Sequence, residues 1–147
     1  MDKPFLLKDK RREKQLKYEK TMLKELSLKE IQGSIEHCFG EMTHCGSIQL
    51  SRIEEGCVDF AIESFLLGAS YSRFGFFGET METASLRCRR EEKYLVDDLY
   101  EYLLYWGKAK EYPFIDESIF IACEFFITSW WKEGFFRGEK RYKLRLN

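Results

Sequence analysis

The strongest constraint on this chain is the recurrence of apolar residues at intervals of three and four from about Lys8 to Arg137. Only two prolines, Pro4 and Pro113, occur in all 147 residues. Spacing of this kind gives helices with one apolar face, whereas strands would need a period of two. The expected fold is all-α: one domain over residues 1–147, built as a bundle of about five helices. It includes a basic N-terminal helix (about 1–27) and ends in a basic tail (about 138–147).

The first helix should run from about Lys8 to Leu26, with Leu16, Met22, Leu23 and Leu26 as a sparse stripe. Ser27-Leu28-Lys29-Glu30 matches a capping box, in which the serine oxygen accepts the Glu30 N–H and the glutamate reaches back. It opens a second helix carrying Ile31, Ile35, Cys38, Phe39 and Met42 on one face, and Thr43–Ser47 reads as a turn. Ser51 to Glu54 repeats the box ahead of a third helix to about Phe74. A fourth runs from about Thr80 to Trp106, and after a break at Gly107–Pro113 a fifth runs from about Phe114 to Arg137. The fourth and fifth are apolar on the most sides and are expected to be the two inner helices. Residues 141–147 alternate basic with apolar, which suits either an extended tail in a groove or frayed helix. Shifted by 59 residues, Ser70–Phe77 lies over Ser129–Phe136, matching at serine, glycine and two phenylalanines. A duplicated helix pair and chance in a Phe-rich chain both produce such an echo.

Composition removes several classes. Thirteen Phe, 8 Tyr and 3 Trp supply apolar area that a disordered chain lacks. The most apolar run, Ile119–Trp131, is interrupted by Glu124 and is too short to cross a bilayer, so no transmembrane segment is expected. The N-terminus lacks the apolar core of a signal peptide, so a cytoplasmic protein is expected. Five scattered cysteines in that setting are expected to be reduced and mostly buried.

Net charge of −1 conceals three blocks. Residues 1–30 carry ten Lys/Arg against six Asp/Glu, residues 31–136 nine against eighteen, and residues 137–147 five against one. The basic ends, represented by Lys10, Arg11, Lys14 and Lys17 and by Lys140, Arg141, Lys143 and Arg145, form a basic patch if they seek phosphate. If they fold back, they neutralise the acidic middle.

Catalytic motifs are missing. There is no phosphate-binding glycine loop and no nucleophile elbow, and His37 and His44 are the only imidazoles. His37, Cys38, His44 and Cys45 concentrate zinc-type ligands in nine residues, with Glu41 between. On a continuous helix their seven-residue offset separates the pairs by about 10 Å, so only a chain reversal at Gly40 would make one metal site. The carboxylates Glu54, Glu55, Asp59 and Glu63, with Glu91, Glu92, Asp97, Asp98 and Glu101, read as solvated faces tied by surface ion pairs. No catalytic residue and no cofactor is assigned. The expected function is a non-enzymatic interaction or regulatory protein, with a protein partner or self-association through Tyr100, Leu104, Tyr105, Trp131 and Phe136. The alternatives are weak binding of nucleic acid or anionic membrane through the basic ends, and a metal-binding helical protein.

Leu23-Lys24-Glu25-Leu26-Ser27-Leu28, Gly56-Cys57-Val58-Asp59-Phe60-Ala61-Ile62-Glu63, Leu66-Leu67-Gly68, Phe74-Gly75-Phe76-Phe77-Gly78-Glu79 and Arg90-Glu91-Glu92 occur in this order. They are followed by Trp130-Trp131-Lys132-Glu133-Gly134-Phe135, Glu139-Lys140-Arg141 and Lys143-Leu144-Arg145. Together they resemble the small uncharacterised Bacillus YbaK-type proteins, a family of unknown function distinct from the tRNA-editing deacylase that shares the name. The resemblance spans nearly the whole chain. It implies a cytoplasmic protein of spore-forming Gram-positive bacteria and brings no activity, cofactor or site residue.

Overall fold

The computed structural model describes residues 3–44, 50–107 and 115–146. Among these there is no strand, and the helices number six rather than about five: α1 (Lys3–Leu23), α2 (Leu28–His44), α3 (Leu50–Phe76), α4 (Met81–Arg87), α5 (Arg89–Tyr102) and α6 (Ile115–Leu146). A π-helical turn, Leu103–Gly107, continues α5. The turn expected at 43–47 and the break expected at 107–113 fall mostly outside the described residues.

Local chemistry sets several boundaries. The Glu30 N–H donates to Ser27 Oγ at 3.4 Å, as the capping box requires, but the Glu30 carboxylate turns instead to Arg137. Ser51 is not a cap, because α3 already contains Leu50. At the other end of α3, Gly78 has φ +108°, its N–H donates to the Gly75 carbonyl, and the Glu79 N–H donates to that of Phe74. This is the glycine-dependent closure that satisfies terminal carbonyls. Thr80 then caps α4, accepting the Thr83 N–H at 3.1 Å. The expected single fourth helix is broken at Cys88, whose N–H closes back on the Ser85 carbonyl. That tightened turn points Cys88, with Ala84, at Trp131 and Phe135, which together form a small second core.

The two inner helices are α3 and α6, whose mutual contact is the most extensive in the molecule; the expectation that the fourth helix is central is corrected. α3 supplies small residues, Ala61, Ser64, Gly68, Ala69 and Ser72, all buried. These let the two backbones touch, whereas the aromatic α5 keeps tyrosines at its rim. α3 and α6 run parallel. A Cβ on Gly68 would overlap the Trp131 carbonyl oxygen and lie 2.8 Å from its carbon. Reciprocally, a Cβ on Gly134 would overlap the Phe65 carbonyl oxygen and lie 2.7 Å from its carbon. The contact is thus locally two-fold, and a shift of 66 residues carries Ile53, Cys57, Phe60 and Gly68 onto Ile119, Cys123, Phe126 and Gly134.

The other helices clad this pair. α5 runs antiparallel to both, with Tyr102 over Gly56 and Tyr100 edge-on to Phe120 at 5.3 Å. α2 runs antiparallel to α6, where Phe39 meets Phe126 at 5.5 Å and the Trp130 indole N–H donates to Ser34 Oγ at 3.0 Å. α1 crosses the far ends of α3 and α6, and the Tyr18 hydroxyl donates to the Ala69 carbonyl at 3.0 Å. One main core takes in Met22, Ile31, Phe39, Phe65, Leu99 and Phe126, so five helices contribute to a common interior. The basic tail expected from about 138 is the last part of α6, helical to Leu146.

Candidate functional site

His37 and Cys38 lie on α2, which continues through Gly40 to His44 without the reversal a shared metal site needs. Their side chains diverge: His37 is exposed and meets the Phe125 ring at 6.2 Å, while Cys38 is half-buried against the main core. Cys45 lies outside the described residues, and Glu41 is exposed. Among the described residues no three His, Cys, Asp or Glu side chains are grouped to hold a metal.

Thiol chemistry is suppressed by packing. Burial pushes Cys57 and Cys88 up to about 12, pushes Cys123 up further, and also raises half-buried Cys38. A low-dielectric interior disfavours the thiolate, which is the nucleophile and the metal ligand.

The expected acidic faces are solvated, but their partners are largely not the interleaved arginines. Glu54 accepts from Gln32 at 3.0 Å, and Glu91 accepts from the Tyr71 hydroxyl at 3.2 Å. Arg87 instead makes a two-pronged bridge to Glu79, at 2.9 and 2.8 Å. Glu92 is half-buried and hydrogen-bonded to Ser85 at 3.4 Å; desolvation raises its carboxyl above the usual range, and Ser85, Thr128 and Lys132 only partly offset this.

The five expected contact residues do not form one patch. Trp131 is 1% exposed and stacks on Phe135 at 5.3 Å, so it belongs to the core; this corrects its assignment to a surface. Tyr100 and Leu104 are half-buried against the main core. Tyr105 is 78% exposed, edge-on to Trp106 at 4.9 Å. Phe136 is 49% exposed but lies on α6 about 24 Å beyond the Phe120 that touches Tyr100. A different strip emerges on the outer side of α6, where Ile121 and Phe125, 58% and 56% exposed, precede Phe136 at helical spacing. Its signal was present in the sequence: Ile121 and Phe125 are an i,i+4 pair set off from the buried Ile119, Cys123, Phe126 and Trp130.

The two basic ends meet. Lys14 and Lys17 of α1 and Arg141 of α6 line one cleft, and Arg11 and Lys14 share another with Arg73 of α3, a residue the sequence did not single out. Lys10 lies exposed on α1; Lys140 sits 4.4 Å over the Phe136 ring, and Lys143 pairs with Glu139 at 3.5 Å. Arg145 lies in the last turn of α6, and its side chain is outside the described residues. The C-terminal block folds back mainly onto Glu25 and Glu30 of the N-terminal block; among the described residues its ion pair with the acidic middle is that to Glu133, one turn away on the same helix. Arg137 donates to the Glu25 carbonyl, to Glu30 at 3.1 Å and to Glu133 at 2.7 Å, and Arg141 approaches Glu25 at 3.9 Å. Among the described residues no helix is long and apolar enough to cross a membrane.

Comparison with known proteins identifies the family and assigns no site. A family model described as a protein of unknown function (DUF2521) matches residues 1–147. The chain is similar to the uncharacterised protein YbaK of Bacillus subtilis (strain 168), with 38% identity over 138 residues, covering 94% of each chain. No solved structure matches.

Proposed function

The chain belongs to the DUF2521 family, whose function is unknown, and we propose that it is a non-enzymatic protein acting by association with a protein partner or with itself. The observation that carries this reading is the outer strip of α6. Single exposed apolar residues are ordinary on any surface, but Ile121 and Phe125 stand side by side, with Phe136 further along the same strip. Tyr105 and Trp106 add a second exposed aromatic pair after α5. Aromatic and aliphatic side chains of this kind are enriched at the centres of protein interfaces. The test is sedimentation of the full chain across micromolar concentrations, with pull-down from a Bacillus lysate, for the native protein and an Ile121→Ser, Phe125→Ser variant. Association or a specific captured protein that the double substitution abolishes is the expected result. A monomer that captures nothing overturns the reading.

A second reading, polyanion binding, is supported by the convergence of Lys14 and Lys17 with Arg141 across two helices that begin and end the chain.

A further inference from the structure

Where α1 crosses the ends of α3 and α6, two clefts of about 470 and 270 Å³ share Lys14 and Tyr18 and so form one groove. Its α1 wall, from Arg11 to Thr21, is about 15 Å long. Five cations line it, Arg11, Lys14, Lys17, Arg73 and Arg141, and no carboxylate does. Of the five, only Arg141 has an ionic partner among the described residues, Glu25 at 3.9 Å. Two nearby acids are engaged elsewhere: Glu19 accepts from Gln15 at 3.3 Å, and Glu139 pairs with Lys143, while Glu63 and Glu91 line the adjoining cleft that shares Gln15 and Ser70. Like charges from both ends of the chain repel when folding brings them together, and a bound anion removes that repulsion.

From this juxtaposition we propose that the groove binds a short chain of consecutive phosphates, either free or as the tail of a nucleotide. The proposal rests on the polyanion reading and narrows it. Three hydroxyls along the groove are already donating: Tyr18 to the Ala69 carbonyl, Ser70 to that of Leu67 and Thr21 to that of Lys17. Recognition therefore falls mainly to the cations, with the guanidinium forks of Arg11 and Arg73 suited to phosphate oxygens and the Tyr142 hydroxyl beside them. Single-stranded nucleic acid is disfavoured because its sites offer free aromatic faces for bases. Here Tyr142 stacks on Phe76 at 5.8 Å and tilts against Tyr18 at 6.0 Å, and the middle of the chain is strongly acidic. A bilayer is disfavoured because it presents a plane of headgroups to a concave groove.

The experiment titrates the full chain with inorganic tripolyphosphate, a nucleoside triphosphate, a thymidine oligonucleotide lacking terminal phosphates, and vesicles of phosphatidylglycerol in phosphatidylcholine. Calorimetry and melting are read at roughly 50 and 200 mM salt, a range over which phosphate binding weakens steeply. Tripolyphosphate is expected to bind and to raise the melting temperature with concentration. Equal binding of the nucleoside triphosphate points to the phosphate chain alone, and tighter binding to a nucleotide tail. Lys14→Ala with Arg73→Ala should weaken binding more than about tenfold and flatten its dependence on salt, because two fewer cations face the phosphates. Arg89→Ala with Arg90→Ala, which removes the same charge outside the groove, should change neither. Absence of tripolyphosphate binding at the lower salt, or equal loss in both variants, overturns the proposal. If the oligonucleotide or vesicles bind while tripolyphosphate does not compete, this proposal falls and the broader polyanion reading survives; if nothing binds, both fall.

Discussion

Replacing Gly134 by alanine tests the central feature of the fold, the backbone contact between α3 and α6. In an isolated helix the change is favourable by about 1 kcal/mol, because alanine loses less backbone entropy than glycine. Here the new methyl would overlap the Phe65 carbonyl oxygen, with the carbonyl carbon at 2.7 Å and the Cα at 3.0 Å, whereas ordinary contact begins near 3.4 Å. These are backbone atoms of a buried helix, so no side chain can swing aside and the helices must part. Overpacking costs typically about 1–3 kcal/mol, and a rigid neighbour places this site near the upper end. Net destabilisation of about 1–2 kcal/mol remains after the propensity gain, and for a chain of this size it lowers Tm by about 2–8 °C. Gly33→Ala is the internal control: it lies in α2, exposed, with nothing within 4 Å of the new methyl, and should raise Tm by about 1–4 °C. Calorimetric melting, with coincident dichroism transitions as the two-state check, measures both. Gly68→Ala should behave as Gly134→Ala. The pair should cost less than the sum of the two by about 0.5 kcal/mol or more, since helices already parted by one methyl admit the other. Gly134→Ala as stable as the native chain, or more so, would refute the close parallel contact.

Glu92→Gln should be neutral or stabilising at pH 7. Its carboxyl is raised in the folded state, so folding favours the protonated form; that contribution is complete below the ordinary carboxyl range and is lost as pH rises through the raised value. The advantage of the glutamine variant should therefore grow with pH across that window and vanish below it, as denaturation in urea at several pH values will show. Thiol alkylation of the native protein near pH 8, mapped by mass spectrometry, should leave Cys57, Cys88 and Cys123 unmodified, with half-buried Cys38 ahead of them. Fast labelling of Cys123 without unfolding would contradict its place between α6 and α3. Arg137→Lys should destabilise by about 1–2 kcal/mol in the same melting assay, because an ammonium cannot serve the Glu25 carbonyl, Glu30 and Glu133 together. A melting temperature equal to the native one would show that this junction of the α1–α2 connection, α2 and α6 contributes nothing.

Much of the helix inventory was legible because it depends on local signals. Ser27 and Thr80 announce their helices through side-chain oxygens acting within three residues, and the long stripes of α3 and α6 follow from period alone. What was not legible depends on partners distant in sequence. Ranking helices by apolar content placed the fourth at the centre, but glycine and serine add nothing to such a count while permitting the closest approach. Adjacent tryptophans on one helix suggest that one faces outward. Trp130 instead enters the main core between Phe65 and Ser34, and Trp131 fills the second core beneath Cys88 and Ala84 on α4. Two faces of α6 are covered at once because Gly134 draws it so near to α3. The alternation of residues 141–147 suits extended chain and frayed helix alike; Tyr142 stacks on Phe76 and Lys143 pairs with Glu139 one turn back, and both interactions favour helix. Of the candidate groove's cations, Arg73 escaped for the same reason: it stands alone in an uncharged stretch of α3, and only folding sets it opposite Arg11 and Lys14.

The internal echo shows how a periodic fold can mislead by a whole repeat. The sequence match aligns Gly75 with Gly134 at a shift of 59, whereas the reciprocal backbone contact pairs Gly68 with Gly134 at 66. The two differ by seven residues, close to two turns, so Gly68 and Gly75 occupy the same face of α3. Gly75 faces the Phe135 ring and Glu139, and so receives side chains from α6 where Gly68 receives its backbone. A parallel pair in turn fixes what must lie between its members in sequence. The chain leaving α3 has to return the full length of that helix, about 40 Å, before α6 can start beside it. Residues 81–107, helical apart from the turn at Cys88, supply a run of that length. Lying antiparallel in the groove between the two inner helices, α5 meets both, with Tyr102 against α3 and Tyr100 against α6. That double contact explains why Val96 and Leu99 are buried and Leu95, Tyr100 and Tyr102 half-buried although the helix is not central.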